Sequence, residues 1–544
     1  MSTGAQVIVE ELEHAGVEVC FGLPGVHNLA LWEALRSSSI RLVGVRHEQA
    51  AAYAADGYAR ATGRLGVALT TTGPGAANTL GAVGEAWASR SPILVIATDI
   101  PSSLRRPGEY RGILHETSGQ SDMFAPVVKS VHLGLTADAV ANAAALAVAD
   151  AVAAPTRPVY LEIATDLLAA ELPPSPPDRA ATVTTVSFSP RSSDLAAAVA
   201  ALDGAERPLL WVGGGARDAP AEVAALAERL AAPVLTTYGA AGVLPPGHPS
   251  AVGLPPHAPA AGALWDEADV VLAIGSDLDG VQTQNFAQPQ PPTLIAVSLE
   301  PIVNYRSDIH LAGEAGEVTA ALAAGVRAPR DGSLDALAER LSNARADACG
   351  SLDATALRFL DAIRFAVPAD GVLVVDMCIP GYWLAGFHTP AAPRRIQVPL
   401  GWGTLGYAFP AALGAALAGT DGPVVSISGD GGFLFAAGEL ATMAQEQIPL
   451  TAVIVDDGGY GMLRYDQQKA GAETYGVDLH TPDFAALAAA FGLESETVDG
   501  LDDAFGEALA RHTADPTPSV LVARTPVPLV PPPNTSPNWY RRRH

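Results

Sequence analysis

Short apolar runs alternate with amphipathic stretches along most of the chain. In the first third the runs fall at residues 17–21, 42–45, 66–70, 93–98 and 159–163, with helical patterns at 47–61 and 78–88 between them. Residues 137–154 form a long alanine-rich helical pattern that Pro155 stops. The alternation returns at 208–212, 233–236, 270–274 and 293–297, and again at 372–375, 424–428, 451–455 and 519–523. Such runs separated by helices predict parallel strands covered on both faces. Two breaks divide the pattern: the Pro-rich LPPSPPD at 172–178 and a polar stretch around 330–332. The expected fold is α/β, with three doubly wound parallel-sheet domains at 1–172, 187–330 and 352–525. A tail rich in Pro and Arg follows at 526–544.

The length of 544 residues fits three domains. Hydrophobic residues at 49% against 17% charged give ample core and exclude a disordered chain. Counting 58 acidic and 32 basic residues leaves a net charge of −26, which argues against nucleic-acid and anionic-membrane partners. Lys129 and Lys469 are the only lysines, so the cationic positions are nearly all arginine. The 137–154 run carries Asp138, Asn142 and Asp150 and reads as a soluble helix rather than a membrane span. Glu10, Glu11 and Glu13 oppose a secretory signal. Cys20, Cys349 and Cys378 have no metal-ligand spacing, so a reducing cytoplasm is expected.

The third part holds the most specific chemistry. Gly429-Asp430-Gly431-Gly432 follows one apolar run, and Asp456-Asp457-Gly458-Gly459-Tyr460-Gly461 follows the next, 27 residues on (457 − 430). In a βαβ unit this spacing sets both carboxylates at the carboxyl ends of parallel strands, where open α/β sheets bind ligands. Glycines let main-chain N–H groups approach a phosphate, and two carboxylates beside a diphosphate suit Mg²⁺.

These two segments at this spacing resemble the thiamine diphosphate-binding signature. The resemblance implies that Asp430, Asp457 and the Gly459 carbonyl are Mg²⁺ ligands. It also implies that Gly429, Gly431, Gly432, Tyr460, Gly461 and Met462 line the cofactor. The signature usually ends in two asparagines, and here both are aspartates. The added negative charge calls for Mg²⁺ and a cation such as Arg464. In the first part, Glu48 within Val45-Arg46-His47-Glu48-Gln49 resembles the catalytic glutamate of acetolactate synthases and related decarboxylases, which pairs with N1′ of the cofactor's aminopyrimidine. Gly25, Thr72, Pro74 and Asn78 are implied on the pyrimidine side. Gly403 and Leu405, in Gly401-Trp402-Gly403-Thr404-Leu405-Gly406, resemble the segment that holds the cofactor bent. Gln120 and His115 lie in a polar loop where related enzymes carry an active-site Gln.

The order of parts also matches acetolactate synthases: pyrimidine-binding, middle and diphosphate-binding domains. The family's arrangement implies a homodimer or homotetramer with the cofactor between two subunits. Departures matter too. Residues 275–280 read Gly-Ser-Asp-Leu-Asp-Gly, where flavin-binding members carry basic residues, so no tightly bound FAD is expected. His115 stands alone where simple pyruvate decarboxylases carry paired histidines, and Leu463 replaces their glutamate. The reading is a thiamine diphosphate- and Mg²⁺-dependent enzyme that cleaves a 2-oxo acid next to its carbonyl and transfers the acyl-anion equivalent to an acceptor. Two alternatives stay open. One is a 2-hydroxyacyl-CoA lyase or acyl-CoA decarboxylase, with Arg541–Arg543 in a lid meeting an acidic or CoA-like group. The other is a non-catalytic protein that keeps the fold.

Overall fold

The computed structural model describes residues 2–106, 108–172, 188–327, 332–399 and 401–542. The two expected breaks lie largely outside these residues. Strands β1 (Val19–Gly22), β2 (Arg41–Gly44), β3 (Gly66–Thr70), β4 (Ile93–Asp99), β5 (Ser130–Gly134) and β6 (Val159–Ala164) form one sheet, ordered β2-β1-β3-β4-β6-β5. A second holds β7 (Pro208–Val212), β8 (Val234–Thr236), β9 (Val270–Ile274), β10 (Thr293–Ser298) and β11 (Ile309–Ala312), ordered β11-β10-β9-β7-β8. The third holds β12 (Val372–Val375), β13 (Ile396–Gln397), β14 (Val424–Gly429), β15 (Leu450–Asp456), β16 (Glu494–Asp499) and β17 (Ser519–Arg524), ordered β13-β12-β14-β15-β17-β16. Every pairing is parallel.

Counted from its own first strand, each sheet has the same core order, 2-1-3-4. The order reverses between strands 1 and 3, where successive crossovers leave on opposite faces. A crevice therefore opens beyond their carboxyl ends. Gly25 and Thr72 follow β1 and β3, and Asp376 and Asp430 follow β12 and β14. In the middle domain the corresponding turns are Gly213–Gly215 and Gly275, packed so closely that a Cβ on Gly213 would lie 2.4 Å from the Gly275 carbonyl oxygen.

The outer domains share one core. The helix Glu48–Thr62 crosses the helix Ala408–Ala416 at glycines. A Cβ on Gly57 would sit 1.9 Å from the Ala411 carbonyl oxygen, and one on Gly414 would sit 1.8 Å from that of Ala54. Tyr53 and Tyr407 meet edge to face beside this crossing, ring centroids 5.5 Å apart. The buried helix starts with His47 capping the Gln49 N–H and stops at Gly63, left-handed at φ 76°.

The tail is docked rather than a free lid. Trp539 stacks on His257 at 5.4 Å, and Asn534 donates to the Tyr238 hydroxyl and the Tyr382 carbonyl. The Tyr540 hydroxyl fills the space above Gly262. Arg541 pairs with Asp266, and Arg542 donates to the Pro537 carbonyl. Aromatic area anchors the segment, and the arginines expected to meet a substrate are engaged within the chain. Arg543 lies outside the described residues. Among the described residues no helix is long and apolar enough to cross a membrane.

Candidate active site

Asp430 opens a helical turn, Asp430–Phe433, directly after β14 and is 1% exposed. Its Oδ1 accepts from the Gly431 N–H at 2.8 Å, while its buried Oδ2 has no partner. Burial, and then the Asp457 charge, push this carboxyl up to about 7. Asp457 follows β15, its Oδ1 is likewise buried without a partner, and burial pushes it up to about 6 against the pull of Arg464. Arg464 itself binds main chain, donating to the Asp457 and Gly458 carbonyls at 3.4 and 3.1 Å, and pairs with Asp478 at 2.9 Å. Gly458 is left-handed at φ 78°, and a Cβ on Gly459 would lie 2.2 Å from the Val477 carbonyl oxygen. A Cβ on Gly431 would lie 2.7 Å from the Tyr460 ring. Among the described residues no three His, Cys, Asp or Glu side chains converge on one metal position. The set here is two carboxylates, each with an orphaned oxygen, beside a glycine-rich turn. A divalent cation completed by main-chain and diphosphate oxygens would satisfy both. Met462, on the helix Gly461–Lys469, packs against the third domain's core.

Sequence reasoning missed Asp376, which is 1% exposed at the end of β12. Its carboxylate accepts from the N–H groups of Met377 at 2.8 Å, Gly406 at 3.1 Å and Ala408 at 3.4 Å. Burial still pushes it up to about 6. It therefore fixes the segment that carries Gly403 and half-buried Leu405. A weaker signal was available: it is an acid directly after the four-residue apolar run 372–375, without the glycines that flank Asp430. Glu85 was missed as well. From the helix Leu80–Ala88 of the first domain, its Oε2 accepts the Trp402 and Gly403 N–H groups at 3.1 and 3.2 Å. Its Oε1 accepts from Arg60, which also pairs with Asp56 at 2.8 Å. Gly403 itself is left-handed at φ 76°.

Glu48, 7% exposed, is the first residue of its helix and accepts from Asn78 Nδ2 at 3.0 Å. Buried Glu439 of the third domain accepts the N–H groups of Arg46 and His47 at 2.9 and 3.0 Å, which fixes the turn into that helix. Pro74 opens the short helix Pro74–Ala77 after Gly73. Gly25 donates its N–H to Asn28, and its missing Cβ leaves room for Thr71. Thr72 bonds Thr98 and His27, each at 2.8 Å. Gln120 is 3% exposed, and both ends of its amide are taken. Its oxygen accepts the Gly73 N–H, and its nitrogen faces the Thr98 carbonyl, Tyr160 and Glu162. His115 is not isolated. His27, distant in sequence, meets its ring edge-on at 5.3 Å, and His115 Nδ1 is buried without a partner. That second imidazole comes from the loop after β1, far from His115 in sequence.

Three family descriptions match in order: the thiamine pyrophosphate enzyme N-terminal binding domain over residues 2–123, the central domain over 195–322 and the C-terminal binding domain over 378–523. A probable 2-ketoarginine decarboxylase of Pseudomonas aeruginosa is 37% identical over 511 residues, covering 92% of this chain and 90% of that one. The chain belongs to the thiamine diphosphate-dependent enzymes. A probable acetolactate synthase large subunit of Methanocaldococcus jannaschii is 29% identical over 558 aligned residues, covering 97% and 93% of the two chains. The acetolactate synthase large subunit of Corynebacterium glutamicum is 30% identical over 526, covering 90% and 81%. As a thiamine diphosphate enzyme of the decarboxylase and carboligase type, the chain is catalytic rather than a retired fold, and its three sheets are that family's three domains.

Proposed function

We propose that this enzyme uses thiamine diphosphate with Mg²⁺ to cleave a 2-oxo acid next to its carbonyl, releasing CO₂. The acyl-anion equivalent passes to an acceptor, and a proton is the simplest one. The orphaned carboxylate oxygens of Asp430 and Asp457 carry the reading, because a metal-held diphosphate explains two acids that each bury an oxygen with no partner. Bound there, the cofactor supplies a carbon nucleophile and an electron sink for the bond broken beside the carbonyl. Asp430, Asp457 and the Gly459 carbonyl would hold Mg²⁺, whose charge would offset that of the diphosphate. Glu48 holds a proton at the pyrimidine end, oriented by Asn78. Glu85 and Asp376 fix the Gly403–Gly406 segment from its two sides. Gln120 acts as a positioning residue that shapes the Gly73 turn.

Exposed apolar side chains stand on the loops and helix starts that follow strands of the two outer sheets: Val26, Leu29, Trp402, Phe435 and Leu463. That supports a homodimer covering the site, with an assembly mass near twice that of the chain in light scattering. No observation now favours the acyl-CoA alternative, since Arg541 and Arg542 already have partners. The middle domain is proposed to hold no flavin, because Asp277 and Asp279 occupy the turn after β9. The test is reconstitution with thiamine diphosphate and Mg²⁺, followed by a panel of 2-oxo acids read for CO₂ and product mass. The acid in the name of the Pseudomonas relative belongs in that panel. Metal- and cofactor-dependent CO₂ release is expected; none from any 2-oxo acid would overturn the proposal.

A further inference from the structure

The interior strand β6 carries an acid among apolar neighbours. Glu162 sits between Ala97 of β4 and Leu133 of β5, in a strand whose six positions are all buried, and is itself 1% exposed. Arg105 pairs with Asp99 and reaches Glu162 only at 3.7 Å. Two acids therefore share one guanidinium. Burial, and then the Asp99 charge, push the Glu162 carboxyl up to about 7, against the pull of Tyr160, Gln120 and Arg105. A well-packed apolar side chain would avoid that cost. What the acid gains is polar contact. Its Oε2 accepts from the Tyr160 hydroxyl and from Gln120 Nε2, each at 3.0 Å. Tyr160, stacked on Phe124 at 4.0 Å, lies 2.8 Å from the same Nε2.

These partners fix the Gln120 amide. With its nitrogen toward Glu162, Tyr160 and the Thr98 carbonyl, its oxygen is the end that meets the Gly73 N–H. Gly73, at φ 65° and ψ −110°, is in a conformation that only glycine takes readily. It leads into the helix Pro74–Ala77, which ends at Asn78, and Asn78 Nδ2 donates to Glu48 at 3.0 Å. Printed contacts thus run from Glu162 through Gln120 to one end of the 73–78 segment, and from its other end to Glu48.

We infer that Glu162 is a positioning residue for Glu48, acting through Gln120 and the Gly73–Asn78 segment. This rests on the proposed role of Glu48 at the pyrimidine and adds the group that sets its aim. An ionised carboxylate accepts and cannot donate, so it leaves the Gln120 amide one orientation. An amide at position 162 can present either end and relaxes that choice. A turned Gln120 would set its N–H groups against that of Gly73, and the segment carrying Asn78 would shift.

Hydrogen–deuterium exchange at C2 of bound thiamine diphosphate is measured at pH 8 in the Mg²⁺ holoenzyme, with cofactor affinity and melting temperature alongside. The proteins are wild type, Glu162→Gln, Tyr160→Phe, Asn78→Ala and the double variant Glu162→Gln/Asn78→Ala. Glu162→Gln should slow exchange about 10- to 100-fold, the span of a lost hydrogen bond to a charged group, with cofactor affinity close to wild type. Tyr160→Phe keeps the stack on Phe124 and removes one donor to Glu162, and should slow exchange about 2- to 10-fold. Asn78 is the last link, so the double variant should be no slower than Asn78→Ala alone. A merely structural role would lower the melting temperature and leave exchange in the bound cofactor unmoved. Wild-type exchange in Glu162→Gln with the cofactor bound, or slowing that multiplies in the double variant, overturns this inference alone. If Glu162→Gln does not fold, Tyr160→Phe decides, and wild-type exchange there overturns the inference. Exchange in the wild-type holoenzyme no faster than in free cofactor overturns the proposed role of Glu48 and the inference with it.

Discussion

Replacing Asp430 with Asn should stabilise the cofactor-free protein and abolish its response to the cofactor. The carboxyl is held at about 7 instead of its ordinary 3.8. A carboxyl raised on folding favours the protonated native state. The stability it adds is complete below pH 3.8 and is lost as pH rises through about 7. At pH 8 the charged form is disfavoured by a ceiling of about 4 kcal/mol, at 1.4 kcal/mol for each tenfold change in acidity. Asp457 shares that strain, and water at the open sheet edge screens it, so roughly 1–2 kcal/mol belongs to Asp430. Asn keeps the shape and cannot ionise. At about 2–4 °C per kcal/mol for a domain of this size, the variant should melt a few degrees above the wild type at pH 8 in chelator. At pH 5, part-way through the window between 3.8 and about 7, the difference should shrink to well under half, and it should vanish only below pH 3.8. Adding Mg²⁺ and thiamine diphosphate at pH 8 should raise the wild-type melting temperature and leave Asp430→Asn unmoved. Equal melting at pH 8 in chelator, or the same gain at pH 5, would refute the reasoning.

Two further substitutions probe how the outer domains hold the site. Gly57→Ala places a methyl where only 1.9 Å separates it from the Ala411 carbonyl oxygen, so the two helices must part. A loss of about 3 kcal/mol or more is expected in thermal or urea melts, with cofactor affinity falling alongside. Glu85→Ala strips Arg60 of one acceptor and orphans the Trp402 and Gly403 N–H groups. It should cost about 3–5 kcal/mol of stability, and Glu85→Gln, which keeps an acceptor oxygen, should lose less in both melting temperature and thiamine diphosphate affinity.

The three-sheet architecture was legible because interior parallel strands are buried on both faces and so read as unbroken apolar runs. The strands missed were β5, β11, β13 and β16, and every one is a sheet edge. β16, Glu494–Asp499, keeps no fully buried position, and β13 is two residues long, so neither carries a run to recognise. The acids after β14 and β15 stood out because glycines flank them. Asp376 has no such flank, and its role depends on main-chain groups some thirty residues later. Glu85 and Arg60 read as ordinary helix charges until the crossing at Gly57 and Gly414 brings the outer domains together. His27 and His115 are 88 residues apart (115 − 27), so only the fold could pair them. The tail's arginines stood out by charge, but sequence could not show that Asp266 was within reach.

The central claim is that Glu48 activates a cofactor held by Asp430 and Asp457. Hydrogen–deuterium exchange at C2 of bound thiamine diphosphate, followed by NMR in wild type and Glu48→Gln, tests it most directly. Wild-type holoenzyme should exchange far faster than the free cofactor. Glu48→Gln should fall back to the free rate while its melting temperature and cofactor affinity stay close to wild type. Fast exchange in Glu48→Gln with the cofactor bound would contradict the account.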